Sequence, residues 1–286
     1  MLLLPIADDN PTRRPPVVTR ALLGISVALW LFGTATGLQR GIFYTLGLVP
    51  ADFHFLNLVT SQFIHSGIFH LAGNMLFFWI FADNVEDRLG RPWFLFMYLT
   101  SGAVGALAHC LFVSGTDAQL PLGGASGAIS GVMGAYLVFY PRQPIRIFYL
   151  IFIFPGVFHA RALWVVGLYG LQQVLAILLT GGTGSGVAYW AHLGGFAAGL
   201  AFAGFDRLRG GLPHDVSGNP AEIPWALKIS PDVPVEHPGG GWAVLRADDA
   251  LADESGSAGV VARVTGEARR GITRRLRRTR GVVAHG

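Results

Sequence analysis

Charge is scarce in this 286-residue sequence: 13% of its residues are Asp, Glu, Lys or Arg, against 52% that are hydrophobic. A soluble globule carries roughly a quarter charged residues, so most of this chain cannot build a water-facing surface and a membrane protein is indicated. Cysteine is almost absent. The single Cys110 lies inside an apolar run, which excludes an intrachain disulfide and any dependence on an oxidising compartment. The zinc-protease pattern His-Glu-x-x-His does not occur, which removes the sharpest metal reading of the nine histidines. The opening Met1 to Pro16 is interrupted by Asp8, Asp9, Pro11, Pro15 and Pro16 before any long apolar core, so it does not read as a signal peptide.

The charge that is present is unevenly spread. It concentrates in the last eighty residues, ending in Arg269, Arg270, Arg274, Arg275, Arg277, Arg278 and Arg280. Such a run attracts anionic lipid headgroups, and the lipid bilayer rather than nucleic acid is the expected partner. Three regions follow: a cytoplasmic N-terminal segment (1–17), an apolar domain (18–205) and a cytoplasmic tail (206–286). The tail holds Pro213, Pro220, Pro224, Pro231, Pro234 and Pro238 with no sustained period, and is expected to be largely disordered. Residues 259–280 suit a basic amphipathic helix on the inner leaflet.

A bilayer-crossing helix needs about 20 mainly apolar residues. Six segments qualify, near 18–38, 65–81, 93–112, 126–140, 160–179 and 187–205. The fourth and sixth are short and rich in small residues spaced by four, Gly127 and Gly131 on one and Ala191, Gly195 and Gly199 on the other, which lets helix backbones approach closely and marks both as central. Arginines alternate between loops: Arg13, Arg14 and Arg20, then Arg88 and Arg91, then Arg142 and Arg146, then Arg207 and Arg209 mark one side, while Arg40 alone marks the other. Both termini are therefore expected in the cytoplasm. The apolar stretch 145–158 reads as an interfacial segment, since a seventh span would break this alternation. The expected fold is an all-α membrane protein, a six-span bundle.

Polar groups inside a membrane are costly and point to function. The second span opens with His65, Ser66, Gly67, then His70 and Asn74; the fourth with Gly124, Ala125, Ser126, Gly127; the sixth carries His192 before Gly194 and Gly195. All three helices start on the external side, and a rise of about 1.5 Å per residue brings these groups to compatible depths. A serine hydroxyl needs a neighbouring base, and a neutral imidazole serves near physiological pH, so Ser126 and His192 are the candidate nucleophile and base. Asn74, His70 and the backbone N–H of Ser126 at a helix N-terminus are candidate donors to a developing oxyanion. No aspartate within the spans is available to orient His192, so the scheme is a dyad.

With Gly-x-Ser-Gly at 124–127, His-x-Gly-Gly at 192–195 and the pair His65 and His70 with Asn74 on the second span, the stretch 20–205 resembles the rhomboid family of intramembrane serine proteases. The resemblance implies Ser126 as nucleophile, His192 as base, and Asn74 and His70 lining the oxyanion region. It makes 84–90 the structural turn after the second helix. It also implies single-span membrane substrates, cleaved near the outer face after entry past the fifth helix, with no metal or organic cofactor. Where some members carry a Trp-Arg pair in the first external loop this chain has Leu56 and Asn57, and where some carry a tyrosine one turn after the serine it has Ser130. Tyr189, Trp190 and Trp164 are then the candidate aromatic neighbours of His192, with His65 and Gly124 as accessory residues. The rival readings are a catalytically silent rhomboid-like protein that binds membrane clients, and a small-solute pathway. The second is disfavoured by the apolar inner-half residues Leu137, Val138 and Phe139.

Overall fold

A computed structural model describes residues 2–182 and 186–210, with the backbone of two further strands. The first unit (1–221) begins with strand β1 (Leu2–Asp8), followed by helix α1 (Val17–Thr36) and the short helices α2 (Gln39–Leu46) and α3 (Asn57–Thr60). Helices α4 (Ile68–Leu89), α5 (Arg91–Phe112) and α6 (Ser126–Phe139) come next, then strands β2 (Pro144–Ile151) and β3 (Phe154–Arg161), then α7 (Ala162–Thr180) and α8 (Tyr189–Leu208). Each of the six apolar segments is a helix. Four of them, α1, α4, α5 and α7, are long and apolar enough to cross a membrane by length and composition.

The shortest of the six is the centre of the bundle. Eleven of the 14 residues of α6 are buried, because small side chains let neighbouring helices close in on it. A Cβ built on Gly195 or Gly199 of α8 would run into the backbone carbonyls of Gly127 and Gly131 of α6, and one on Gly105 of α5 into the carbonyl of Ala191. This is the close backbone approach that small residues permit when lipid supplies no hydrophobic drive between helices. By contrast α7 buries only Ala162, Val166, Gly170 and Gln173, and exposes a stripe of Trp164, Leu168, Leu171 and Leu178.

The helix ends that carry arginine gather at one end of the bundle. Glu86, 3% exposed near the end of α4, accepts the backbone N–H of Val18 at 2.9 Å and of Thr19 at 2.7 Å, and the Thr19 hydroxyl at 2.7 Å. It thereby caps the N-terminus of α1, whose own N-cap position, Pro16, offers no side-chain acceptor. Asp87 accepts the N–H groups of Arg13 and Arg14, and Arg88 lies 3.8 Å from Asp206 of α8.

The all-α expectation needs amending, since the chain is mostly helical with an added sheet. The stretch 145–158 is neither a helix nor an irregular loop but most of an antiparallel hairpin, β2 with β3, and the N-terminal β1 adds as a third strand in the order β1-β2-β3. Aromatic and β-branched residues favour the extended chain, and Pro155 and Gly156 disfavour a helix. Ile145 and Ile147 anchor the base of the sheet in the core, while Phe152, Ile153 and Phe154 at the tip are exposed.

Asp8 closes the sheet onto the bundle, accepting from the Tyr136 hydroxyl at 2.7 Å and from Asn84 Nδ2 at 2.8 Å, while Asp9 pairs with Arg146 at 2.8 Å. Burial pushes the Asp8 carboxyl up from its ordinary 3.8 to about 7; the Tyr136 hydrogen bond opposes this, and the neighbouring charges of Asp83 and Asp9 add to it. Folded Asp8 thus keeps a proton that the unfolded chain releases, so its contribution to stability falls as pH rises through that window. The unfolding midpoint in detergent is expected to drop between about pH 5 and about pH 8, and to drop less in Asp8→Asn, whose amide oxygen still accepts from both donors. An equal drop in the two proteins would contradict this role.

The second unit (222–286) is described only by strands β4 (Asp232–His237) and β5 (Gly241–Arg246), paired antiparallel. They lie in the tail read as having no strand period, because six-residue alternations, one interrupted by Pro234, are too short to register as one. The basic helix expected at 259–280 falls outside the described residues.

Candidate active site

A cavity of about 720 Å³ opens among α2, α4, α6, α7 and the residues leading into α8. Its lining includes Ser126, His192, His70, Asn74 and Tyr169. Four of the residues singled out in the sequence therefore meet around one space, although they are up to 122 positions apart in the chain.

Ser126 is the first residue of α6. The helix is preceded by Ala125, which has no side chain able to cap it, so no side chain takes up the backbone donors of its first turn. The approach to Ser126 is held by Gly124, whose N–H donates to the Ser61 carbonyl at 2.9 Å. Gly124 has φ +140°, a conformation that side-chain-bearing residues rarely adopt, and a Cβ built there would lie 2.8 Å from His70 Nε2. The glycine thus lets the chain pass directly against the imidazole.

The second-helix groups present donors to the same place. Asn74 Nδ2 is buried and has no hydrogen-bond partner, and it would lie 3.6 Å from that Gly124 Cβ position. His70 Nδ1 lies 3.1 Å from Ser66 Oγ. With the Ser66 hydroxyl donating, the imidazole proton sits on Nε2, the nitrogen that faces Gly124. A buried donor with nothing to bind is costly, and its natural use is a charge that develops only during reaction.

His65 is fully buried outside the cavity lining, stacked edge-on to His70 with ring centroids 5.2 Å apart. Gln39 Nε2 donates to its backbone carbonyl at 2.6 Å.

His192 stands one turn into α8. Its Nδ1 lies 3.0 Å from Gln173 Oε1, and its ring lies 6.5 Å, centre to centre, from that of Tyr169. The aromatic neighbour thus comes from α7 and is none of the three expected. Trp190 instead stacks on Phe112 at 4.0 Å and donates to the Gly181 carbonyl at 3.2 Å, pinning the start of α8 to the ends of α5 and α7. Trp164 is exposed, and Tyr189 lies outside the cavity lining. Ser130, at the position of the missing tyrosine, is joined to Tyr169 by a 2.6 Å hydroxyl pair and donates to the Ser126 carbonyl at 2.7 Å. No hydrogen bond joins Ser126 to His192 among the described residues, and the imidazole bonds to Gln173 instead.

Sequence reasoning missed Tyr169 and Gln173. The signal was there: Tyr169 and Gln173, four apart, lie on one face of a span whose other polar residues are Gln172 and the terminal Thr180.

A family model described as Rhomboid domain matches residues 52–208, more than half of the chain. Among curated proteins, the "Putative rhomboid protease YdcA" of Bacillus subtilis (strain 168) is 34% identical over 138 residues, covering 43% of this chain and 61% of that protein. "Rhomboid protein 1, mitochondrial" of Saccharomyces cerevisiae is 28% identical over 200 residues, covering 66% of this chain and 53% of that protein. The "Rhomboid protease GluP" of Bacillus subtilis is 41% identical over 80 residues, covering 28% of this chain and 15% of that protein. The matches thus span less than two thirds of each of these relatives.

Proposed function

The chain belongs to the rhomboid family, and from that premise we propose that it is an intramembrane serine endopeptidase working through Ser126 and His192. The observation that carries this reading is the position of Ser126: an uncapped helix N-terminus, in one cavity with His192 and with the unpartnered amide of Asn74. A packing serine would have no use for that combination.

In the reaction, Ser126 Oγ attacks the carbonyl carbon of the scissile peptide while His192 Nε2 takes the hydroxyl proton. The carbonyl oxygen gains the negative charge, and the Asn74 amide, the His70 Nε2–H and the first-turn N–H groups of α6 donate to it. These donors are fixed beforehand and so cost no reorganisation as the charge develops. The imidazolium then gives its proton to the leaving amine, the C–N bond breaks, and an ester to Ser126 remains. Water, activated by His192, attacks that ester and restores the serine.

The multi-pass chain presents this site to substrates that are themselves in the bilayer. Six crossings with both termini in the cytoplasm are supported by the arginine alternation and by the clustering of Glu86, Asp87, Arg88 and Asp206 at the bundle end opposite Ser126. The substrates are single-span membrane proteins cleaved near the outer face. Their entry past α7 is supported by the few residues that this helix buries. A cell membrane is the proposed location.

The test uses a serine-directed fluorophosphonate on the full chain in proteoliposomes containing a single-span substrate. One phosphonyl adduct is expected, on the peptide containing Ser126, with loss of cleavage in proportion to labelling. A chain that neither labels nor cleaves would instead be a client-binding rhomboid-like protein.

A further inference from the structure

Gln173 of α7 is buried, 3% exposed, in a helix that buries only four of its 19 residues, and its two polar ends face different partners. Nε2 lies 3.4 Å from the Tyr169 backbone carbonyl, and Oε1 lies 3.0 Å from His192 Nδ1. The Tyr169 carbonyl can only accept, so the NH₂ group of Gln173 must face it, and the Gln173 oxygen is left for the imidazole. That oxygen can only accept in turn, so His192 Nδ1 must carry the proton. Nε2 is then the nitrogen with the free lone pair, on the ring edge away from Gln173.

We propose that Gln173 is a positioning residue that holds His192 in the tautomer able to take the Ser126 proton, in the role that a carboxylate fills in a triad. The proposal rests on the reading of Ser126 and His192 given above and names what orients the base. Without Gln173, an imidazole in an apolar bundle has no reason to keep its proton on Nδ1, and the alternative tautomer offers Ser126 an N–H in place of a lone pair. A neutral amide also differs from a carboxylate in a way that can be measured. It fixes the tautomer while stabilising the imidazolium charge much less than an ionised carboxylate does.

A second link from the same helix sets the other partner. The Ser130 hydroxyl donates to the Ser126 carbonyl, so the Tyr169 hydroxyl must be the donor in its bond to Ser130. Thus α7 holds His192 through Gln173 and the first turn of α6 through Tyr169. The two residues are one helical turn apart.

Two measurements test this. In protein labelled with ¹⁵N-histidine, the His192 resonances, recognised by their loss in His192→Ala, are expected to show a protonated Nδ1 and an unprotonated Nε2 at neutral pH. The reverse tautomer in the wild type would overturn the proposal whether or not the protein cleaves anything. The kinetic arm compares Gln173→Leu and Gln173→Glu in proteoliposomes. Gln173→Leu is expected to lower kcat by roughly 10- to 100-fold with little change in KM, as loss of a partner that orients a ligating or catalytic imidazole does. Gln173→Glu is expected to recover much of that loss and to move the acid limb of the kcat profile to higher pH, because the carboxylate favours the imidazolium and the base is needed neutral. A wild-type kcat in Gln173→Leu, or an unmoved acid limb in Gln173→Glu, would sink the role of Gln173 and leave the dyad standing. A wild type without cleavage or phosphonate labelling would sink the dyad itself.

Discussion

Ser126→Ala is expected to lower the rate of substrate cleavage by on the order of 10⁴-fold or more, His192→Ala by a similar factor, and the double substitution by no more than either alone. The reason is that the two act as one unit in the proposed dyad. The hydroxyl is a poor nucleophile without the imidazole, and the imidazole has no proton to take without the hydroxyl. Removing the second partner then removes nothing that still worked. Any residual rate comes from Asn74, His70 and the α6 N-terminus, which still favour charge on the carbonyl oxygen. Single-turnover cleavage in proteoliposomes measures all three variants. Effects that multiply, giving the double variant a rate far below either single one, would mean that Ser126 and His192 work independently and that the dyad is wrong. The folded state serves as an internal control. The Ser126 hydroxyl makes no hydrogen bond within the described residues, so its removal should leave the unfolding midpoint nearly unchanged, within about 0.5 kcal/mol of stability.

Two glycines on α8, five residues apart, are expected to respond to the same substitution with opposite signs. A Cβ at Gly199 meets the carbonyl and Cα of Gly131, and these are backbone atoms of the central helix that cannot rotate away. The helices must separate, opening the contact that also holds Gly195 against Gly127. Gly199→Ala should therefore cost about 3 kcal/mol or more. A Cβ at Gly204 meets nothing within 4 Å. There alanine only restricts the unfolded chain and improves the helix, so Gly204→Ala should stabilise by up to about 1 kcal/mol. Unfolding midpoints in detergent give both signs, and phosphonate labelling of Ser126 gives the functional cost of parting α6 from α8. Equal effects at the two positions would mean that the close α6–α8 approach does not hold the bundle.

Much of this was legible in the chain itself. The two glycine series mark the central helices because small residues at four-residue spacing have one physical use inside a bundle, and α6 and α8 meet through the residues so marked. Ser126, His70, Asn74 and His192 were legible for a related reason. Polar groups in an apolar span stand out against their neighbours without knowledge of the fold. The same rule applied to α7 would have found Tyr169 and Gln173, which were passed over for bulkier aromatics next to His192 in sequence. Trp190 lies two residues from His192, and 3.6 residues per turn points it away from the face His192 uses, while Tyr189 is the first residue of α8 and does not line the cavity.

The sheet was illegible for a different reason. The stretch 145–158 is apolar and carries Pro155 and Gly156, so it argued against a helix, but nothing local says that its strand partner is Leu2–Asp8, more than 130 residues earlier. Strand pairing joins residues by backbone hydrogen bonds that leave little mark on either segment.

By itself, then, the sequence determined that the chain lives in a membrane, which segments are helical, which helices lie at the centre and which side chains are chemically out of place there. Hydropathy, residue size and residue chemistry are properties of each position. What the tertiary structure alone decided is which distant groups complete one another: Glu86 on the N-terminus of α1, Asp8 under Tyr136 and Asn84, β1 beside β2, and Gln173 on His192. Each is a hydrogen bond between segments far apart in the chain. Its partner is selected by where the packed helices leave a donor or an acceptor unsatisfied, and that is set only when the whole bundle is assembled.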